Sequence, residues 1–134
     1  VDIFIIIAGF AVSAFTAFAF FKAGKFKATS SKETLLQAGF GWIEKIPFGV
    51  VRLIAWLEIL GAIGVVVAPI GYLLGYTWAI WFAIAAAVGL ALTMVGAIWV
   101  HAARGETKYT LKMNLNLLVA SLVTAGSWFA LTLI

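Results

Sequence analysis

An all-α integral membrane four-helix bundle is the fold class this sequence predicts, and three observations predict it. Of 134 residues, 65% are hydrophobic and only 10% charged, against about a quarter charged in an ordinary soluble domain. The apolar residues fall into four long runs, each near the roughly 20 residues needed to cross a hydrocarbon layer. Most of the charges gather in two of the connections. A soluble domain of this size has too large a surface for its volume to hide so many apolar side chains. A sheet is excluded because no barrel closes from four crossings, and an open edge in lipid leaves backbone groups unsatisfied.

The first span covers about residues 3–21, from Ile3 to Phe21, and stops at Lys22, where a basic segment with Lys25, Lys27 and Lys32 begins. Val1-Asp2-Ile3 lacks the basic region and cleavage site of a signal peptide, so this run is expected to be a retained helix. Ser30 precedes Glu33 by three residues, a capping-box spacing, and Gly39 closes the turn after Leu35 and Leu36, which predicts a short interfacial helix between spans one and two. Trp42 to Ile46 mixes an aromatic, aliphatics and charges, as a headgroup-level segment does. Pro47 opens span two, about 48–70, because the first turn of a helix has no use for the missing N–H. An uncharged turn, Gly71 to Thr77, leads to span three, about 78–100. His101, Arg104, Glu106, Lys108 and Lys112 form the second charged loop, and span four runs over about 115–134. Residues 1–134 thus read as a single transmembrane domain.

All nine Lys and Arg lie in the two charged loops or at the start of span two. The positive-inside rule makes both loops cytoplasmic and both termini external, as in a multi-pass protein of a bacterial plasma (inner) membrane. Tyr72, Tyr76, Trp78, Trp81 and Trp128 then fall near the outer interface, and Trp42 and Trp99 near the inner one. Topology and attraction to anionic headgroups explain the basic loops, so the net charge of +4 does not point to nucleic acid. There is no cysteine and one histidine, which argues against thiol chemistry, an intrinsic metal centre or a bis-histidine haem site. No catalytic constellation is recognisable, and the chain is expected not to catalyse a reaction on its own.

Glu58 is the most informative residue. Counting from Pro47 at ~1.5 Å per residue places it roughly 16 Å in, near the midplane, where a charge costs on the order of 3 kcal/mol and ordinarily finds a partner inside the bundle. The same bookkeeping puts Ser13, Thr16, Thr93, Ser121 and Thr124 at comparable depth. Two readings stand: a polar pocket lined by Glu58 and these hydroxyls, or a clamp in which Glu58 ties two helices and the hydroxyls bond their own backbone. Arg52 lies about 120° around the helix from Glu58, so the two are not a preformed pair. It serves as an interface anchor with Trp56 over its stem, or contacts an anionic or quinone headgroup together with His101 and Arg104. His101 is a helix C-terminal residue favoured by the macrodipole, or a proton-exchanging group. Gly61, Gly64 and Ala68, and Ala86, Gly89, Thr93 and Gly96 or Ala97, read as packing seams.

The segments Arg52-Leu53-Ile54-Ala55-Trp56-Leu57-Glu58-Ile59-Leu60-Gly61-Ala62-Ile63-Gly64 and Gly96-Ala97-Ile98-Trp99-Val100-His101-Ala102-Ala103-Arg104-Gly105-Glu106, with Gly39-Phe40-Gly41-Trp42-Ile43-Glu44 before them, resemble the DoxX-like family of small bacterial four-helix membrane proteins. The resemblance implies ligand or partner contacts at Arg52, Glu58, His101, Arg104 and Glu106. It implies a setting more than a reaction: an accessory or anchor subunit of a membrane-bound redox or other multi-subunit complex, in contact with other membrane subunits or a second copy. The alternatives are a binder of a lipid-soluble ligand, a quinone or a polyprenyl lipid, around Glu58, or a small proton-coupled transporter. Spans read as unbroken by proline favour the last of these least, unless the chain oligomerises.

Overall fold

The computed structural model describes residues 2–134; Val1, which opens the segment read as a retained helix, lies outside the described residues. Four long helices, α1 (Asp2–Thr29), α3 (Phe48–Leu73), α4 (Ala79–Ala103) and α5 (Thr107–Thr132), are long and apolar enough to cross a membrane. A short helix, α2 (Lys32–Gln37), and a 3-10 turn (Gly41–Lys45) join α1 to α3. The long helices form a ring in which α1 packs on α3, α3 on α4, α4 on α5, and α5 back on α1.

Two of the four helices run well past the apolar segments that mark them. α1 continues eight residues beyond Phe21, and α5 begins eight residues before Leu115. Hydropathy marks where side chains meet hydrocarbon, whereas a helix persists as long as its backbone bonds are made, and Lys and Arg stems tolerate the headgroup layer. Lys22, Lys25, Lys27, Lys108 and Lys112 therefore stand on helices rather than in loops. The helix between the first two spans is capped by Ser31, not Ser30: Thr34 N donates to Ser31 Oγ at 3.1 Å. α2, α3 and α4 each end on a glycine at positive φ, Gly39 (97°), Gly75 (103°) and Gly105 (71°), the left-handed C-terminal geometry in which a Cβ is disfavoured. Pro69 lies inside α3, which continues to Leu73. Its ring nitrogen cannot bond the Val65 carbonyl, a loss that packing within a bundle can absorb.

The bundle is apolar outside as well as inside. Phe4, Phe18, Leu92 and Trp99 are largely exposed, Trp99 at 77%, while Ser13, Thr16, Glu58, Asn114, Ser121 and Thr124 are buried. That distribution suits lipid as the surrounding solvent, because apolar side chains lose nothing there and polar ones must find partners inside. Trp78 and Trp81 face outward as expected of a belt, but Trp128 is fully buried. Close helix approach follows the small residues of α3: a Cβ added at Gly61 would meet Leu90 at 2.7 Å, and one at Gly64 would meet Ala86 at 3.1 Å. The α4 glycines are not part of this seam, since Gly89 and Gly96 have open space before them.

Candidate functional site

The inward stripe of α1 is Gly9, Ser13, Thr16, Phe20, Gly24 and Lys27, the spacing of one helix face. Gly24 lets α3 come close: a Cβ there would stand 2.9 Å from the Ala55 carbonyl oxygen and 3.3 Å from Glu58 Cβ. One turn on, Lys27 Nζ donates to Glu58 Oε1 in an ion pair whose members are 8% and 1% exposed. Arg52 Nη1 donates to the Lys27 carbonyl oxygen at 2.9 Å, satisfying an acceptor in the last turn of α1 that has no partner of its own. Arg52 and Glu58, on different sides of α3, thus both hold Lys27. The ring beneath the Arg52 guanidinium is that of Phe48, 4.5 Å from its centroid, whereas Trp56 faces outward.

This packing also fixes the level of Glu58 against the neighbouring helices. Gly24, flanked by exposed Lys22 and Lys25, marks the level of Glu58 on α1, and on α4 that level falls near Thr93, about midway between Ala79 and Ala103. The first turns of α3 rise beside α2 and the 3-10 turn, where Leu35, Ile43 and Val51 make a small core of their own. Ser13 and Thr16 lie 11 and 8 residues before Gly24, roughly 16 and 12 Å away along α1. They form a separate polar layer with α5: Thr16 and Thr124 hydroxyls are 3.0 Å apart, Trp128 Nε1 donates to Ser13 Oγ at 2.9 Å, and Ser121 donates to the Leu117 carbonyl at 2.7 Å. Thr93 is nearer Glu58 in level, and its hydroxyl donates to the Leu90 carbonyl at 2.6 Å.

A cavity of about 320 Å³ opens beside the Lys27–Glu58 pair. All four long helices and the segment before α3 line it. Its polar groups are Lys27, Glu58, Thr93, His101 and Asn114; among its apolar ones are Trp42, Ile54, Met94, Ala97 and Leu117. Two residues of its lining each hold a buried polar atom with no hydrogen-bond partner, Glu58 Oε2 and Asn114 Nδ2, an arrangement that costs about 1–3 kcal/mol per atom when left unsatisfied. Of the side chains singled out in the sequence, the cavity gathers Glu58, Thr93 and His101. Ser13, Thr16, Ser121 and Thr124 belong to the other layer, and Arg52 acts behind Lys27.

His101 joins the cavity to a charged cluster. Its Nδ1 lies 3.1 Å from Glu106 Oε1, and Arg104 Nε donates to the same oxygen at 2.9 Å. Arg104 extends toward the segment between α1 and α3, where a Cβ on Gly41 would meet its Nη2 at 2.7 Å. The Glu106 carboxyl is held below the usual carboxylate range, first by the hydrogen bond from His101 and then by Arg104. A carboxyl with a lowered folded pKa stabilises the fold above its ordinary value, about 4.3, and that contribution disappears as pH falls through the folded value. Glu106→Gln is therefore expected to flatten the acid limb of a detergent-micelle unfolding profile while changing little in its shape at higher pH.

Two residues of this site were not marked in the sequence as candidates, Lys27 and Asn114. Lys27 sits among other lysines, and only the stripe from Ser13 through Thr16 and Phe20 points to it. Asn114 likewise continues the α5 stripe of Ser121, Thr124 and Trp128.

No curated protein and no solved structure matches the chain. The DoxX-like family matches residues 11–126, a span that includes Lys27, Glu58, His101, Arg104 and Asn114 and most of each long helix. With that length of agreement and four helices able to cross a membrane, the chain belongs to the DoxX-like family.

Proposed function

We propose that this membrane protein holds a lipid-soluble molecule with a hydrogen-bonding head in the cavity beside Lys27 and Glu58, a quinone or a polyprenyl lipid having the right balance of chemistry. The observation that carries the reading is an apolar-walled cavity lined by both members of a buried ion pair, with Thr93, His101 and Asn114 beside them. Binding sites for small molecules have this composition: mostly apolar lining, with a few fixed polar groups that orient the ligand. In the setting its family implies, the chain serves as an accessory subunit that presents this molecule to a neighbouring membrane subunit. Its lysine-bearing end then faces the cytoplasm.

The test fills the cavity without touching the charges. Ala97→Phe adds a ring to the wall, and the protein purified in mild detergent is extracted and analysed by mass spectrometry. The wild type is expected to carry a lipid-soluble molecule, and the variant to carry about tenfold less, equivalent to about 1.4 kcal/mol of binding, at an unchanged unfolding midpoint. Equal recovery from both proteins, or none from the wild type, would refute the reading.

A further inference from the structure

The wall of the cavity bends around α4. Met94 is buried and Gly96 exposed, and both line the cavity, although two residues set them about 200° apart on the helix. His101, Ala97, Thr93 and Val100, also in the lining, fill the angles between them along one side. That side is the one on which α3 packs, since it carries Ala86 and Leu90, the neighbours of Gly64 and Gly61. The cavity therefore leaves the bundle between α3 and α4, passing Ile54 of α3. A Cβ added at Gly96 has nothing within 4 Å, so the passage is open there, and packing does not call for a glycine, a poor helix former. Met113 of α5 is also exposed and in the lining, but a long side chain stands there. At the charged end Phe40, Trp42 and Ile46 form the wall, and Arg104 reaches across to Gly41.

We infer that Gly96 is a lateral window of the ligand site: the head stays in the cavity, and an apolar chain attached to it passes between α3 and α4 beside Gly96 into the bilayer. The inference rests on the cavity being a ligand site and adds the path of the chain and the residue that keeps it open. Leu92 and Trp99, one turn to either side of Gly96 on the same face, are exposed, so the window gives onto apolar surroundings. A chain sent out at the charged end would leave its methylenes in water, whereas one passing Gly96 keeps them in an apolar solvent. A side chain at position 96 would stand in that path, which accounts for a glycine that no neighbour requires.

The experiment titrates the purified protein, in micelles at one fixed detergent concentration, with 2,3-dimethoxy-5-methylbenzoquinone and with the same quinone carrying a decyl chain. Binding is read by isothermal calorimetry. Gly96→Phe is expected to weaken the decyl probe at least about tenfold and to leave the chainless one unchanged. Gly96→Val, a smaller plug, is expected to fall between Gly96→Phe and wild type. Val95→Phe puts a ring on the lipid-facing side of the neighbouring position, about 100° away, and is expected to change neither. Ala97→Phe, which fills the cavity, is expected to weaken both. Unchanged decyl binding in Gly96→Phe overturns the window and leaves the cavity reading standing, and so does a loss confined to Met113→Trp, which would put the exit at that edge. Equal weakening of both probes by Gly96→Phe overturns the window too, because the ring would then occupy the cavity and not the path of the chain. No binding of either probe by the wild type overturns both readings.

Discussion

Replacing Lys27 with methionine is expected to destabilise the protein by about 3–5 kcal/mol, the cost of leaving one member of a buried ion pair without its partner. Glu58 is 1% exposed and Lys27 is the residue that engages its carboxylate. The neighbouring Lys22→Met and Lys25→Met, at exposed positions of the same helix, are expected to stay within about 0.5 kcal/mol of wild type. The double variant Lys27→Met with Glu58→Leu is expected to recover the loss, because a well-packed apolar pair replaces a buried ionic one at little or no cost. Unfolding in mixed micelles, titrated with a denaturing detergent, measures all four. A Lys27→Met single variant as stable as the lysine controls would show that the pair does not hold α1 to α3. High salt is expected to leave the Lys27 effect in place, since buried pairs are poorly screened.

The contrast between Lys27 and its neighbours explains what the sequence made legible and what it did not. Four apolar runs give four helices because length and hydropathy alone decide whether a segment can cross a bilayer. The helix ends were legible only where a residue imposes a geometry, as at Gly39 and Pro47. At Thr29 and Thr107 nothing stops hydrogen bonding where the apolar run stops, so the helices outrun it.

Of the candidate site, Glu58 was legible because an acid within an apolar run demands an explanation. Its partner was not, because a lysine in a basic segment demands none. Ser13, Thr16, Ser121 and Thr124 are buried, and which layer they join depends on the vertical register of α1 against α5. That register is set by Gly9 under Trp128 and Thr16 against Thr124, contacts between residues more than a hundred positions apart. One bundle therefore carries two polar layers with different work. The α1–α5 layer is internally satisfied, each of its hydroxyls and the indole having a partner. The Glu58 layer holds two buried atoms without partners, on residues that line the cavity.

That division makes the second large effect specific. Trp128→Ala is expected to cost about 3–5 kcal/mol, the range for deleting a buried aromatic side chain. The indole is fully buried, meets Phe10 edge-to-face at 5.2 Å between centroids, and gives its N–H to Ser13. Gly9 exists as a recess for it, since a Cβ there would lie 2.7 Å from the ring, so Gly9→Leu is expected to be as damaging through displacement of the same ring. Trp128→Phe keeps most of the apolar contact and drops the hydrogen bond, which sets its cost near 1–3 kcal/mol. Because Ser13 is roughly 16 Å along α1 from the level of Glu58, Trp128→Phe is expected to lower the unfolding midpoint without altering affinity for a ligand in the cavity. Ala97→Phe is expected to do the reverse. If Trp128→Phe weakened ligand binding in proportion to its loss of stability, the two layers would be one cooperative unit, and the separation of packing from binding would be wrong.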